Sequence, residues 1–204
     1  MGEVEYDLKY AEQQLQRSHS PLRRFVKQFY LWNVVKDVIG PTVDFGCGAG
    51  QLLELLPEGS LGLEVNPYLV ETLQNRGLNV KLYDPSKDQL ALKDVPEGQF
   101  STLIMSHVLE HFDNATDGLK HILSSCNRLG INRVIIIVPG KKGYAYDKTH
   151  KTFVNRNYVE TEHLTRVNDY VMSTVSYFPV NVELVGNFFT FHEMKMVFNF
   201  LGAK

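Results

Sequence analysis

The chain has 204 residues, of which 44% are hydrophobic and 22% charged, and its formal net charge is −2. These values are ordinary for a globular protein, and they give no broad positive surface for nucleic acid. Because the longest aliphatic run, Val134 to Val138, is too short to span a bilayer, and because there are two cysteines and no secretory leader, we expect a single cytoplasmic domain over residues 1–204.

Residues 1–39 are predicted to form a helical extension. Aromatic and aliphatic residues recur there with helical spacing, and Ser20 before Pro21 is typical of a helix start. Four basic residues make the extension locally positive: Arg17, Arg23, Arg24 and Lys27. We interpret them as a solvated helix face, with a recognition surface for an anionic substrate as the alternative.

From Pro41 onward, apolar runs typical of strands alternate with helical patterns. The predicted strands cover 43–45, 61–65, 80–83, 100–105 and 133–138, and the predicted helices cover 51–56, 67–76, 117–129 and 158–166. Two late segments, 170–178 and 188–200, are rich in β-branched and aromatic residues. The pattern predicts an α/β fold with a Rossmann-like doubly wound sheet, in which a C-terminal antiparallel hairpin follows five parallel strands.

The stretch from Thr42 to Gly50, Thr-Val-Asp-Phe-Gly-Cys-Gly-Ala-Gly, is predicted to be a strand that turns tightly into a helix. Glycines without a Cβ let the backbone of such a turn touch a ligand. The dinucleotide fingerprint does not fit, because Gln51 stands where its third small residue belongs. No Gly-Lys-Ser/Thr follows, which excludes a Walker phosphate loop. A purely structural turn stays open at this point.

With Asp44 as the acid, the pattern acid-x-Gly-x-Gly-x-Gly resembles motif I of the class I S-adenosylmethionine (SAM) methyltransferases. An acid suits the positively charged SAM and would repel a pyrophosphate. The resemblance implies that the cofactor contacts the loop through Asp44, Gly46, Cys47, Gly48 and Gly50.

Two further acids end predicted strands. Glu64 ends the second strand, about twenty residues after Asp44, where doubly wound folds place a ligand for the ribose hydroxyls. Asp84 ends the third strand, where the resemblance implies a contact to adenine. A turn formed by Asp84 before Pro85 explains that residue equally well.

The fourth predicted strand leads into Ser-His-Val-Leu-Glu-His-Phe, residues 106–112. This segment resembles the Val-Leu-Glu-His stretch of type 11 and type 23 methyltransferases, which include ubiquinone-pathway and bacterial sugar or glycan O-methyltransferases. The resemblance implies that Ser106 and His107 help to hold the methionine end of SAM. The motif of base-methylating enzymes, Asn/Asp-Pro-Pro-aromatic, is missing here, so we predict no nucleic-acid acceptor.

His-x-x-Glu-His, from His107 to His111, also matches the inverzincin zinc motif. A zinc peptidase requires this motif on a continuous helix, with a third ligand further along. Here the motif begins at a strand end and is interrupted by Asp113 and Asn114. We therefore predict no metal.

Residues 139–153, after the fifth predicted strand, are rich in Gly, Lys and Tyr and predict a loop over the mouth of the site. Within it, Asp147-x-x-His150 followed by Phe153 resembles a segment of glycan-type members. The resemblance implies that His150 deprotonates an acceptor hydroxyl while Asp147 orients its imidazole. A surface turn with an incidental histidine is the alternative.

These patterns predict a SAM-dependent O-methyltransferase that acts on a small-molecule or sugar hydroxyl by in-line displacement. His107, His111 and His150 are the candidate bases, since histidine has the intrinsic pKa that this step requires. A non-catalytic partner subunit with the same fold is the main alternative. An NAD-dependent oxidoreductase is a weaker one, because of Gln51.

Overall fold

The computed structural model of the protein describes residues 29–202. Most of the predicted N-terminal extension, including the helix start predicted at Ser20 and all four basic residues, lies outside that range. Residues 29–35 are helical, as predicted for the end of the extension. Among the described residues, no helix is long and apolar enough to cross a membrane.

Within the described range, eight strands form one mixed sheet in the order β3-β2-β1-β4-β5-β8-β7-β6. The strands are β1 Thr42–Phe45, β2 Leu61–Glu64, β3 Val80–Leu82, β4 Thr102–Ser106, β5 Arg133–Pro139, β6 Arg166–Val167, β7 Tyr170–Phe178 and β8 Glu193–Phe200. Strands β1 to β5 are parallel, and β8 pairs antiparallel with both β5 and β7. The prediction of a doubly wound sheet with a C-terminal antiparallel hairpin is confirmed, and β6 adds a short edge strand.

Short helices connect the strands. The α-helices after β2 are α1 Pro67–Asn75, α2 Pro85–Asp88, α3 Ala115–Leu129, α4 Lys141–Tyr146 and α5 Arg156–Thr161, and 3₁₀ turns cover Leu53–Leu55, Leu109–His111 and Glu183–Asn187. Side chains of Asn66, Asp84, Asn114 and Asn155 accept hydrogen bonds from backbone N–H groups at four of the helix starts. Asn and Asp are favoured at that position because they satisfy donors that a helix leaves unpaired.

Local predictions are wrong at four places. The helix predicted over 51–56 is only a 3₁₀ turn, since Pro57 follows at once. The helix predicted over 158–166 begins at Arg156, where Asn155 caps it, and ends at Thr161. The segment 139–153, predicted as a loop, contains α4. Residues 188–192 precede β8, and their aromatic side chains are largely exposed, although aromatic residues favour strands.

The core covers both faces of the parallel strands. Leu103 and Ile104 are consecutive in β4, point to opposite faces and are both 0% exposed. Leu103 lies in the cluster that includes the buried face of α3, and Ile104 lies in the cluster that includes Val34 of the N-terminal helix. Burial on both faces is expected of a parallel sheet. It leaves the carboxyl edge of the sheet as the place for polar function.

Candidate active site

The carboxyl ends of β1 and β4 meet at one edge of the sheet, with Phe45 beside Met105. The glycine loop, residues 46–50, follows β1, and residues 107–111 follow β4 after Ser106. The two segments touch, because a Cβ built on Gly46 would lie 2.6 Å from Val108 Cγ2. The predicted cofactor loop therefore lies beside the segment that carries His107 and His111.

Three glycines shape the loop. Gly46, Gly48 and Gly50 have φ values of +76°, +53° and +76°, which side chains rarely adopt. A Cβ on Gly46 or Gly50 would collide with a neighbour at 2.6 or 2.7 Å, whereas a Cβ on Gly48 would meet nothing within 4 Å. The turn thus needs Gly46 and Gly50 for packing, and the bare backbone of Gly48 borders open space.

Asp44 and Glu64 are buried beside this loop, with 2% and 5% of their surface exposed. Glu64 accepts hydrogen bonds from the backbone N–H of Gly48 at 2.8 Å and of Asn66 at 2.9 Å. Burial raises the pKa of Glu64, and these hydrogen bonds lower it in part. Burial, followed by the charges of Asp44 and Glu64, raises the pKa of the Cys47 thiol. The raised pKa disfavours the thiolate, which is the nucleophilic form of a cysteine.

Asp84 caps α2 directly after β3. Its carboxylate accepts hydrogen bonds from the Ser86 hydroxyl at 2.6 Å and the Ser86 backbone N–H at 3.0 Å, and it lies 3.0 Å from Lys87 Nζ. These contacts, the Ser86 hydroxyl first, lower the pKa of Asp84 to about 2. The turn before Pro85 accounts for the conformation of Asp84, and its contact to adenine stays a prediction.

Beyond β4, five side chains from three parts of the chain form what we call the histidine–glutamate cluster: His107, Glu110, His111, His150 and Glu193. The structure brings together all three histidines predicted as bases. Sequence reasoning missed the two glutamates. Glu110 had a signal in its position within His-x-x-Glu-His. Glu193 had none, since only the pairing of β8 with β5 brings it to this edge.

His107 lies between the two glutamates. Its Nε2 is 2.8 Å from Glu193 Oε1, and its Nδ1 is 3.3 Å from Glu110 Oε1. Burial disfavours the charged ring, but the two carboxylates outweigh it and raise the pKa of His107 to about 10. Because 42% of the side chain is exposed, water screens part of this attraction. His107 therefore fits a fixed cation better than the general base predicted from the sequence.

His111 and His150 pack edge to face, with 4.8 Å between ring centroids. Nδ1 of His150 is 2.8 Å from the Tyr144 carbonyl, and Nδ1 of His111 is 3.3 Å from the Thr149 carbonyl. Because a carbonyl can only accept, Nδ1 of His150 carries the proton, and Nε2 keeps its lone pair. That Nε2 lies 3.7 Å from Glu110 Oε1.

No hydrogen bond joins the Asp147 carboxylate to the His150 ring within residues 29–202, contrary to the sequence prediction. Its Oδ1 accepts hydrogen bonds from the Thr149 backbone N–H at 2.9 Å and the Thr149 hydroxyl at 2.7 Å. An aspartate two residues before an N–H forms such a turn with its own backbone, and this turn occupies Oδ1 of Asp147. Tyr144 holds the imidazole instead, through its carbonyl and through a stacked ring 5.4 Å away.

Glu110 is fully buried, with 0% of its surface exposed. Within residues 29–202, neither of its carboxylate oxygens has a hydrogen-bond partner, since the nearby ring nitrogens are too far or misaligned. Its backbone carbonyl, in contrast, accepts from Lys151 and Thr152, which fixes the loop after α4 against this residue. An unsatisfied buried carboxylate is costly in a folded protein, and such groups mark functional sites.

Residues 43–131 match the sequence family of methyltransferase domains. No protein of curated function matches the sequence. Among solved structures, a SAM-dependent methyltransferase from Archaeoglobus fulgidus is 18% identical, with a TM-score of 0.64 over 95% of this chain and 100% of the other.

Two further structures are similar over nearly their whole length. The N-methyltransferase NodS from Bradyrhizobium japonicum, in complex with S-adenosylhomocysteine (SAH), is 12% identical, with a TM-score of 0.63 over 95% of this chain and 98% of NodS. A complex between a Haloferax volcanii methyltransferase activator and a protein regarded as its methyltransferase gives 13% identity and a TM-score of 0.65, over 96% of both chains. At these identities the likeness shows the fold, and it agrees with the sequence family.

Proposed function

We propose that the chain, whose residues 43–131 match methyltransferase domains, is a class I SAM-dependent methyltransferase that methylates a hydroxyl oxygen of a small molecule or glycan. SAM supplies a methyl group made electrophilic by a sulfonium. A hydroxyl acceptor must also lose its proton, which a neutral amine need not do before attack. The single observation that carries the proposal is the histidine–glutamate cluster beside the glycine loop, because it offers a buried carboxylate and imidazole lone pairs for that step.

The residues around the glycine loop suit this cofactor. Open space over Gly48 admits a ligand against the bare backbone. Each carboxylate oxygen of Glu64 accepts one N–H bond and keeps a further lone pair for a ribose hydroxyl. The buried charge of Asp44 suits the cationic end of SAM. Cys47 would contact the cofactor through its backbone, because burial disfavours its thiolate.

Each part of the cluster has a separate task in this proposal. His107, held as a cation by Glu110 and Glu193, positions ligands at the end of β4. Glu110, His111 and His150 activate the acceptor hydroxyl. As a direct base, His150 would take the proton on Nε2, where the nearby charge of Glu110 stabilises the imidazolium. A placed base is worth ~10² to 10⁴ in rate, and alignment of the reactants contributes about 7–11 kcal/mol.

The test is incubation with SAM that carries a labelled methyl group and a panel of acceptors sorted by acceptor atom. Phenols and glycosides test oxygen, aliphatic amines test nitrogen, and a short RNA tests the predicted absence of nucleic-acid methylation. We expect label in an ether linkage. Transfer to amines or RNA alone would overturn the proposal. SAH binding without transfer to any acceptor would favour the non-catalytic subunit, and calorimetric binding of NAD instead of SAH would favour the oxidoreductase.

Two variants show whether the cluster performs the activation. Glu110→Gln keeps the size of the side chain and removes its charge, so we expect methyl transfer to fall by ~10²-fold or more while SAH affinity is kept. The matched control is His121→Ala, which removes an exposed histidine on α3 outside the cluster. Equal loss in both variants would refute the assignment.

A further inference from the structure

We infer that Glu110, His111 and His150 bind a divalent metal ion. Each of the three offers one ligand atom, and these atoms lie within 4.8 Å of one another. Two imidazoles and one carboxylate are a common ligand set for divalent transition metals that keep open positions for a substrate. No such site was expected from the sequence, because the zinc motif there required a continuous helix with His107 as a ligand.

The structure changes that ligand set. His107 turns to Glu193, at 2.8 Å, and does not complete the motif. His150 takes its place from the loop after α4, and its Nε2 lies 3.7 Å from Glu110 Oε1. Glu110 and His111 share one 3₁₀ turn rather than a helix. The three ligands therefore come from two segments that the hydrogen bonds of Lys151 and Thr152 to the Glu110 carbonyl hold together.

The buried carboxylate of Glu110 is the independent sign of a ligand. It is 0% exposed, and neither oxygen takes a well-aligned hydrogen bond from a described residue; the nearest ring nitrogens are His107 Nδ1 at 3.3 Å and His150 Nε2 at 3.7 Å from Oε1. Burial of a carboxylate with so little hydrogen bonding is unfavourable, whereas metal coordination would supply the strong contacts that burial demands.

The hydrogen bonds behind the imidazoles are those that metal-bound histidines make. A ligating histidine usually donates its second ring N–H to a carbonyl or carboxylate, which fixes the tautomer and ring orientation. Nδ1 of His150 lies 2.8 Å from the Tyr144 carbonyl, and Nδ1 of His111 lies 3.3 Å from the Thr149 carbonyl. Both rings can then direct the Nε2 lone pair to one ion.

Distances and ligand types limit which ion fits. Ligand atoms at about 2.1 Å from one ion lie at most about 4.2 Å apart. The widest separation in this set, 4.8 Å at most, requires a side-chain movement of well under 1 Å. Mixed nitrogen and oxygen ligands favour Mn²⁺, Fe²⁺, Co²⁺ or Zn²⁺ over Ca²⁺, Mg²⁺ or Cu⁺. Three protein ligands leave positions for water or for an acceptor oxygen.

This inference rests on the proposed function in one respect, the purpose of the ion. A divalent cation lowers the pKa of a hydroxyl or water that binds to it. An ion held by Glu110, His111 and His150 would activate the acceptor hydroxyl in place of direct proton removal by His150. Binding of the ion can be measured without any acceptor.

The experiment is calorimetric titration of the chelator-stripped full chain with MnCl₂ and, separately, ZnCl₂. We expect one ion per chain, with affinity at least ~10-fold lower in Glu110→Gln and in His150→Ala. His121→Ala should bind as the wild type does. His111→Ala, at a partly exposed ring, provides a third variant if a buried substitution fails to fold. Thermal unfolding and SAH titration identify the folded variants.

Ion binding that is absent at millimolar concentration, or unchanged in the folded cluster variants, would overturn the site. Co²⁺ gives a second readout, since its visible absorption should change when His111 or His150 is replaced. Hydroxyl methylation at full rate by the metal-free chain would overturn the role of the ion. Stoichiometric binding in a chain that methylates only amines would leave the site standing and refute the proposed function.

Discussion

Replacement of Gly48 by Ala tests two separate reasons for a glycine in the cofactor loop: the left-handed backbone conformation and the space that a bound cofactor needs. Gly48 has a φ of +53°, and a Cβ there would meet nothing within 4 Å. The substitution therefore creates no clash in the free protein and costs only the backbone conformation. A Cβ at this place would, however, occupy the space in which we expect SAM to contact the loop.

The backbone cost sets the expected loss of unfolding free energy, and the clash with the cofactor sets the expected loss of SAH affinity. An alanine in the left-handed region costs about 1–2 kcal/mol of unfolding free energy. Gly59→Ala is the matched control, because Gly59 has a φ of +83°, also has nothing within 4 Å, and lies outside the site. A Cβ forced against a bound ligand resembles overpacking, about 1–3 kcal/mol. SAH affinity should therefore fall about 5- to 150-fold in Gly48→Ala and stay unchanged in Gly59→Ala.

Urea unfolding and calorimetric titration with SAH measure both quantities on the same preparations. Equal destabilisation of the two variants, with weaker SAH binding in Gly48→Ala alone, supports the reasoning. Wild-type SAH affinity in Gly48→Ala would refute the location of the cofactor. A much larger loss of stability in Gly48→Ala than in Gly59→Ala would show that the space above the loop is not open.

Three further predictions concern packing, titration and the loop after α4. Gly46→Ala adds a clash with Val108 to the backbone cost and should lower the free energy of unfolding by about 2–5 kcal/mol. In urea unfolding, the double variant Gly46→Ala/Val108→Ala should recover about 1–3 kcal/mol of that loss, and strictly additive losses from the two substitutions would contradict the contact. The buried phenol of Tyr170 donates a hydrogen bond to the Ile131 carbonyl, and burial raises its pKa, so the stabilising effect of the neutral phenol is complete below about pH 10 and is lost as the pH rises further. Tyr170→Phe removes both the hydrogen bond and the titrating group, so it should lose about 1–3 kcal/mol at neutral pH and show a flatter alkaline loss; an alkaline profile equal to that of the wild type would contradict this prediction. Asp147→Asn should change methyl transfer less than ~3-fold, because Asn can still cap Thr149, whereas a loss of ~10- to 100-fold would mean that Asp147 orients His150 after all.

The parallel sheet could be predicted because its signals are local. Buried strands such as β5 are continuous aliphatic runs, and residues such as Gly77 and Gly130 mark helix ends. The prediction of strand boundaries failed where tertiary contacts override the strand propensity of individual residues. The aromatic residues before β8 favour a strand, yet Phe188 is 77% exposed and precedes the hairpin strand instead.

The site divides in the same way. The glycine loop and Glu64 are recognisable because the spacing between strand, turn and acid is fixed by local geometry. The partners of the histidines are not, since they depend on strand order and register. His107 meets Glu193 only because β8 enters the sheet beside β5. The sequence predicted Asp147 as the partner of His150, but Tyr144 contacts the ring through a backbone carbonyl, which no side-chain motif can reveal.

This strand order gives the C-terminal hairpin a part in the site. Parallel strands bring their carboxyl ends to the functional edge, so an antiparallel strand brings its amino end there instead. β8 begins at Glu193, opposite Pro139 at the end of β5, and its first carboxylate contacts His107. Glu193→Gln would remove a charge that keeps His107 protonated, although the sheet pairing would remain. We therefore expect Glu193→Gln to weaken methyl transfer while thermal stability stays close to wild type, and equal loss of both would mean that the hairpin serves only the fold.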